Sequence, residues 1–192
     1  MELEAPMPSP AEISALAQRI DRSIVLVGMM GVGKSTIGRK LANALNLPFV
    51  DADEAIEEAA HMSISEMFEL HGEASFRDGE RRVIARLIGQ GTDKPKVIAT
   101  GGGAFCNPET RALILERAIT VWLDSDVEVL LERVGRKDNR PLLRNGDPRE
   151  ILTRLKTERE QFYAQAPIRV KSGSVPHSHA LAQVIREIDA WL

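Results

Sequence analysis

Residues 23–36 read Ser-Ile-Val-Leu-Val-Gly-Met-Met-Gly-Val-Gly-Lys-Ser-Thr. Five residues of strand character run into Gly28, and Gly33, Lys34 and Ser35 follow at the offsets of a phosphate-binding loop. Glycine at these positions lets the backbone curl so that successive amides point inward at phosphate oxygens. Lys34 is then in reach of the β- and γ-phosphates, and the Ser35 hydroxyl can ligate Mg²⁺. Ile37, Leu41 and Leu45 give the next residues one apolar helical face. A helix starting near Lys34 would aim its positive end at the same anion. The stretch implies a strand, a loop, a helix and a bound nucleoside triphosphate.

Upstream, residues 1–8 hold little to bury and are expected to be disordered. Ser9-Pro10-Ala11-Glu12 is a capping box with proline at the first helical position, and Ile13, Leu16, Ala17 and Ile20 form one face behind it. That short helix either lies on the core or meets another protein. Downstream, Leu47 to Val50 reads as a strand ending at Asp51-Ala52-Asp53. Ser63 to Glu66 is a second capping box, and Gly72 reads as a helix stop before a long helix over 73–88 with Phe76, Val83 and Leu87 inward. Val97 to Thr100 reads as a buried strand closed by Gly101-Gly102-Gly103, and Asn107-Pro108 starts a helix. Residues 119–123 form a strand, Ser125-Asp126 opens a helix, and Asp147-Pro148 opens another. Residues 167–170 form the last strand and 179–192 the closing helix. Strands alternating with helices predict an α/β domain with a parallel sheet covered on both faces. Its ligands belong at the carboxyl ends of the strands.

The chain has 192 residues, enough for one domain with a full core. Its formal net charge of −3 argues against a polyanionic partner, so no nucleic acid is expected. The single cysteine, Cys106, excludes an internal disulfide framework and fits a reducing compartment. The first residues, Met-Glu-Leu-Glu, lack the pattern of a signal peptide, and the apolar run before Lys34 is too short to span a bilayer. A cytoplasmic protein without a membrane partner is expected, and a monomer is the working expectation for its assembly.

Asp51 and Asp53 share a side if the strand stays extended that far. They fit either solvated loop acids or the two carboxylates that phosphoryl transfer needs, one near the metal and one on the accepting hydroxyl. The three glycines at 101–103 fit a close backbone approach to a small ligand or a plain flexible turn. A motor or switch ATPase would carry an apolar strand ending in aspartate, and the best candidate strand ends in Thr100 and glycines instead. The arginines between 133 and 149 fit a lid that folds over triphosphate better than a nucleic-acid patch, since aromatic residues are not interleaved among them. By spacing alone, Arg77 is a surface partner for Glu73 or Glu80.

Several motifs occur in a fixed order. They are the phosphate loop, Phe49 to Asp53, Ser65-Glu66-Met67-Phe68 with Gly72-Glu73, and Phe76-Arg77 with Glu80. Thr100 to Gly103, Arg140-Pro141-Leu142-Leu143, and Arg159 with Tyr163 complete the series. Together, over roughly residues 23–171, the chain resembles the shikimate kinases. That resemblance implies a nucleoside-monophosphate-kinase-like fold with a five-stranded parallel sheet, helices on its flanks and a mobile lid over 135–147. It implies MgATP as donor and the 3-hydroxyl of shikimate as acceptor, in the chorismate route to aromatic amino acids. On these matches Gly31, Val32, Gly33, Lys34, Ser35 and Thr36 hold the nucleotide, and Ser35 and Asp51 serve the metal, Asp51 through water. Asp53 is the general base on the substrate hydroxyls. Arg77 and Arg159 grip the shikimate carboxylate, and Gly101, Gly102 and Gly103 line the acceptor site. Arg140 is the lid arginine on the triphosphate and Arg133 packs on adenine. The region over 53–90 is the shikimate-binding part of a single kinase domain, and residues 1–21 are an extension. The four histidines match no site of the family and are expected to be surface or packing residues. A gluconate-type kinase and a catalytically silent nucleotide-binding protein are the competing readings.

Overall fold

A computed structural model describes residues 6–89, 93–135, 143, 146–173 and 176–192. The five strands are β1 (Ile24–Val27), β2 (Phe49–Asp51), β3 (Val97–Ala99), β4 (Ile119–Asp124) and β5 (Ile168–Lys171). They pair in parallel in the order β2-β3-β1-β4-β5. The apolar run that precedes the phosphate loop is therefore the central strand, fully buried as an inner parallel strand must be. At the edge, β5 alternates buried Ile168 and Val170 with exposed Arg169 and Lys171, and such charges discourage edge-to-edge pairing.

The helices are α1 (Pro10–Arg19), α2 (Lys34–Leu45), α3 (Ala52–Ala60), α4 (Ile64–Ile88), α5 (Pro108–Arg117), α6 (Val127–Val134), α7 (Pro148–Tyr163) and α8 (His177–Trp191), with a 3₁₀ turn at Ala104–Cys106. Both expected capping boxes form. Ser9 accepts from the Glu12 amide while Glu12 accepts from the Ser9 amide, and Ser63 and Glu66 repeat the exchange. α2 packs on β1, β2 and β3, α8 on β5 and α2, and α1 on α2. Gly38 admits the Phe49 ring against α2, where a methyl would sit 2.6 Å from a ring carbon.

α1 lies on the core through Leu16 and Ile20 and is tied to α8 by the Arg19–Asp189 ion pair. Of residues expected to be disordered, 6–8 follow α8, where Arg186 donates to the Pro6 carbonyl. At Gly72 the backbone leaves helical geometry (φ 75°, ψ 171°), so the expected stop stands, and the segments before and after it meet there in a kink within α4. Its expected inward residues do pack inward, on two separate clusters. Leu87 packs on the main core that Ile84 and Ile88 enter, while Val83 packs beside Ile56, Met67 and buried Phe76 in a small separate cluster.

One correction concerns β4. Its last residue is Asp124, so an apolar strand next to β1 does end in aspartate. The carboxylate is buried and held by Lys156 (3.1 Å) and Arg169 (2.6 Å). Burial pushes its pKa up, but hydrogen bonds from those two cations outweigh burial and hold it below the usual range. Asp124 thus ties β4 to α7 and β5.

Candidate active site

A cleft of about 340 Å³ opens where β1, β2 and β3 end. Its floor is the loop from Gly28 to Gly33. Gly28 (φ 138°) presses so close to the Leu123 carbonyl that a methyl would overlap it, and Gly33 (φ 100°) caps α2 in a left-handed conformation. The first turn of α2 and its dipole then face the cleft. Lys34 is buried, and its ammonium donates to the carbonyls of Gly28 (2.7 Å) and Met29 (2.8 Å).

Beside Lys34, the Ser35 hydroxyl donates to Asp51 Oδ2 at 2.6 Å. Asp51 Oδ1 accepts from the amides of Asp53 (3.0 Å) and Glu54. Asp51 is thus the N-cap of α3, and this is why the extended chain stops there. Asp53 sits in the first helical turn, not on a continued strand, and helical geometry turns its carboxylate toward Gly101. A methyl on Gly101 would stand 2.8 Å from Asp53 Oδ1. Burial pushes the Asp53 pKa up. Asp51 and Glu57 add to the rise, and Lys34 and Arg77 oppose it.

The other two glycines repeat the pattern. The Arg77 guanidinium lies directly over Gly103, and Arg159 Nη1 is 3.3 Å from where a Gly102 methyl would stand. Three functional side chains from α3, α4 and α7 therefore converge on one glycine triplet after β3. Arg77 Nη1 donates to Glu80 Oε2 at 2.7 Å, and Glu80 is only 1% exposed. Burial raises the Glu80 pKa against the pull of Arg77. Arg159 Nη1 is buried with no hydrogen-bond acceptor among the described residues. One helical turn on, the buried Tyr163 hydroxyl donates to the Gly102 carbonyl and holds the triplet against α7. Burial raises its pKa as well.

Arg133 stands on the other flank, at the end of α6. It donates to the carbonyls of Val32 (3.0 Å) and Gly173 (3.0 Å), and His177 lines the cleft beside it. Arg140 and most of the expected lid, 135–147, lie outside the described residues. Sequence reasoning offered Glu80 only as a surface partner of Arg77, where the structure buries it, gave Tyr163 no role of its own, and expected His177 to be a surface or packing residue. The first two were visible as turn-spaced partners of Arg77 and Arg159, whereas His177 carried no local signal.

A phosphate loop after the central strand, two carboxylates at its side and paired arginines over a glycine triplet define a small-molecule kinase of the P-loop class. A family model described as shikimate kinase matches residues 30–189. The chain is 66% identical to the shikimate kinase of Novosphingobium aromaticivorans, with both chains covered throughout. It belongs to the shikimate kinase family. The solved shikimate kinase of Acinetobacter baumannii, in complex with shikimate, superposes with a TM-score of 0.81 at 35% identity, covering 91% of this chain and 97% of that one. A gluconokinase from Sinorhizobium meliloti, at TM-score 0.55 and 19% identity over 89% of this chain and 93% of that one, shares the fold alone.

Proposed function

We infer that this chain transfers the γ-phosphoryl group of ATP to the 3-hydroxyl of shikimate, giving shikimate 3-phosphate and ADP. The buried Nη1 of Arg159, which has no acceptor among the described residues and lies with Arg77 over the glycine triplet, is the observation that carries the acceptor side of this reading. A buried donor without an acceptor is costly, and a substrate carboxylate supplies the missing acceptor. Glu80 holds one face of Arg77 and leaves Nη2 toward Gly103.

In this reading Gly31 to Thr36 wrap the triphosphate and Lys34 neutralises its β/γ end. Asp53 accepts the proton of the 3-hydroxyl as that oxygen bonds to the γ-phosphorus, while the bond to the β–γ bridging oxygen breaks and ADP leaves. Its raised pKa makes it a stronger base than an exposed aspartate. Ser35 and Asp51 offer two hard oxygens 2.6 Å apart, a donor set that suits Mg²⁺. When bound, the ion would shield phosphate charge. Arg133 would pack on adenine and Arg140 would reach the triphosphate from the lid.

We take the working unit to be a monomer in the cytoplasm, without nucleic-acid or membrane partners. The net charge of −3 supports the first absence. Among the described residues, no helix is long and apolar enough to cross a membrane. The test offers purified protein MgATP with shikimate, gluconate and other hydroxy acids, and follows ADP release. Turnover on shikimate is expected. Turnover on gluconate alone would overturn the reading, and none on any acid would leave a silent nucleotide-binding protein.

A further inference from the structure

His177 is the first residue of α8, and its ring lies on the donor loop. A methyl on Gly33 would meet its Cε1 at 3.3 Å and its Nδ1 at 3.7 Å. The ring lines the same cleft as Ser35, Thr36 and Arg133. Its Nδ1 is buried and has no hydrogen-bond partner among the described residues. Burial lowers its pKa, and the nearby cations Arg133 and Lys40 lower it further, so the ring is neutral near pH 7.

Sheet order says which part of a nucleotide reaches this nitrogen. Asp51 ends β2, and the acceptor residues Asp53 and Gly101–Gly103 follow β2 and β3, on one side of β1. Arg133 and His177 follow β4 and β5, on the other side. A triphosphate lying along the loop with its γ-phosphate toward Asp53 directs its α-phosphate and sugar toward β4 and β5. A neutral imidazole nitrogen is either a donor or an acceptor, and a hydroxyl partners both, whereas a phosphate oxygen accepts only.

We propose that His177 Nδ1 hydrogen-bonds a ribose hydroxyl of the bound nucleoside triphosphate, which makes His177 a determinant of ribonucleotide preference. The proposal rests on the kinase reading above and assigns a residue that reading does not use. One hydrogen bond of this kind corresponds to a preference of about 3–10-fold.

Titration of the wild type with ATP, 2′-deoxy-ATP and 3′-deoxy-ATP tests it, followed by the same titrations on His177→Ala and a shikimate titration on both proteins. One deoxy analogue should bind the wild type about 3–10-fold more weakly than ATP. The variant should bind ATP as weakly as that analogue and no longer tell the two apart, with its shikimate Kd unchanged. Equal binding of all three nucleotides by the wild type overturns the proposal without any variant. So does discrimination that persists in His177→Ala, or a variant that loses ATP and shikimate alike. A wild type that binds no ATP would instead overturn the kinase reading.

Discussion

The two walls of the cleft are built on opposite principles. The donor wall is continuous backbone, and its cation is satisfied internally, with Lys34 bonded to Gly28 and Met29. The acceptor wall is made of side chains from α3, α4 and α7 that meet over Gly101–Gly103, and one of its buried donors has no acceptor among the described residues. A backbone cradle is rigid and serves any triphosphate. An assembled wall with unspent hydrogen-bonding capacity discriminates among acceptors, because a ligand lacking the matching group leaves a buried charge unpaired. The choice of phosphoryl acceptor therefore belongs to the acceptor wall, and any choice among nucleotides belongs to side chains beside the cradle, such as His177.

Substitutions on each wall can break that contrast. Asp53→Asn should have the largest effect, lowering kcat by about 10²–10⁴-fold with the ATP Kd retained. Stopped-flow turnover with parallel ATP titration reads both, and near-normal kcat would remove Asp53 as base. Arg159→Ala should come next. It should weaken shikimate binding by about 2–5 kcal/mol, as truncating one side of a buried charge pair does, and leave ATP binding alone. Arg77→Ala should behave similarly; an unchanged KM for shikimate would mean the carboxylate is held elsewhere. Glu80→Gln keeps the shape but loosens the grip on Arg77, so KM should rise by about 1 kcal/mol equivalent with little change in kcat. Last, the acid limb of kcat/KM should lie above the ordinary aspartate range. The Asp53 pKa is raised, so the active ionised form is lost as pH falls through that higher value. A limb at the ordinary value would place the base elsewhere.

The same physics decided what could be read from the residues in order. The donor wall is a contiguous run in which three glycines, a lysine and a serine are each demanded by local geometry, so it was legible at once. The capping boxes at Ser9 and Ser63 were legible for the same reason. Asp53 was found but misplaced, because the Asp51 cap ends the strand two residues before Asp53, where alternation would need it to continue. Asp124 stands directly after the strand expected over 119–123 and was overlooked there, whereas its pairing with Lys156 and Arg169 is made only by the fold. Arg77 and Arg159 sit far apart in the chain, and their convergence was available only through family resemblance. His177 depends on α8 docking beside the donor loop, a contact with no trace in local sequence.

The central claim is that the acceptor wall is completed by a carboxylate. Calorimetric titration of shikimate and its methyl ester, into the wild type and into Arg159→Ala, tests it most directly. The wild type should bind the acid at least about 30-fold more tightly than the ester, consistent with loss of a buried charge pair. Most of this preference should disappear in Arg159→Ala. Equal binding of acid and ester by the wild type, or a preference undiminished in the variant, would contradict it.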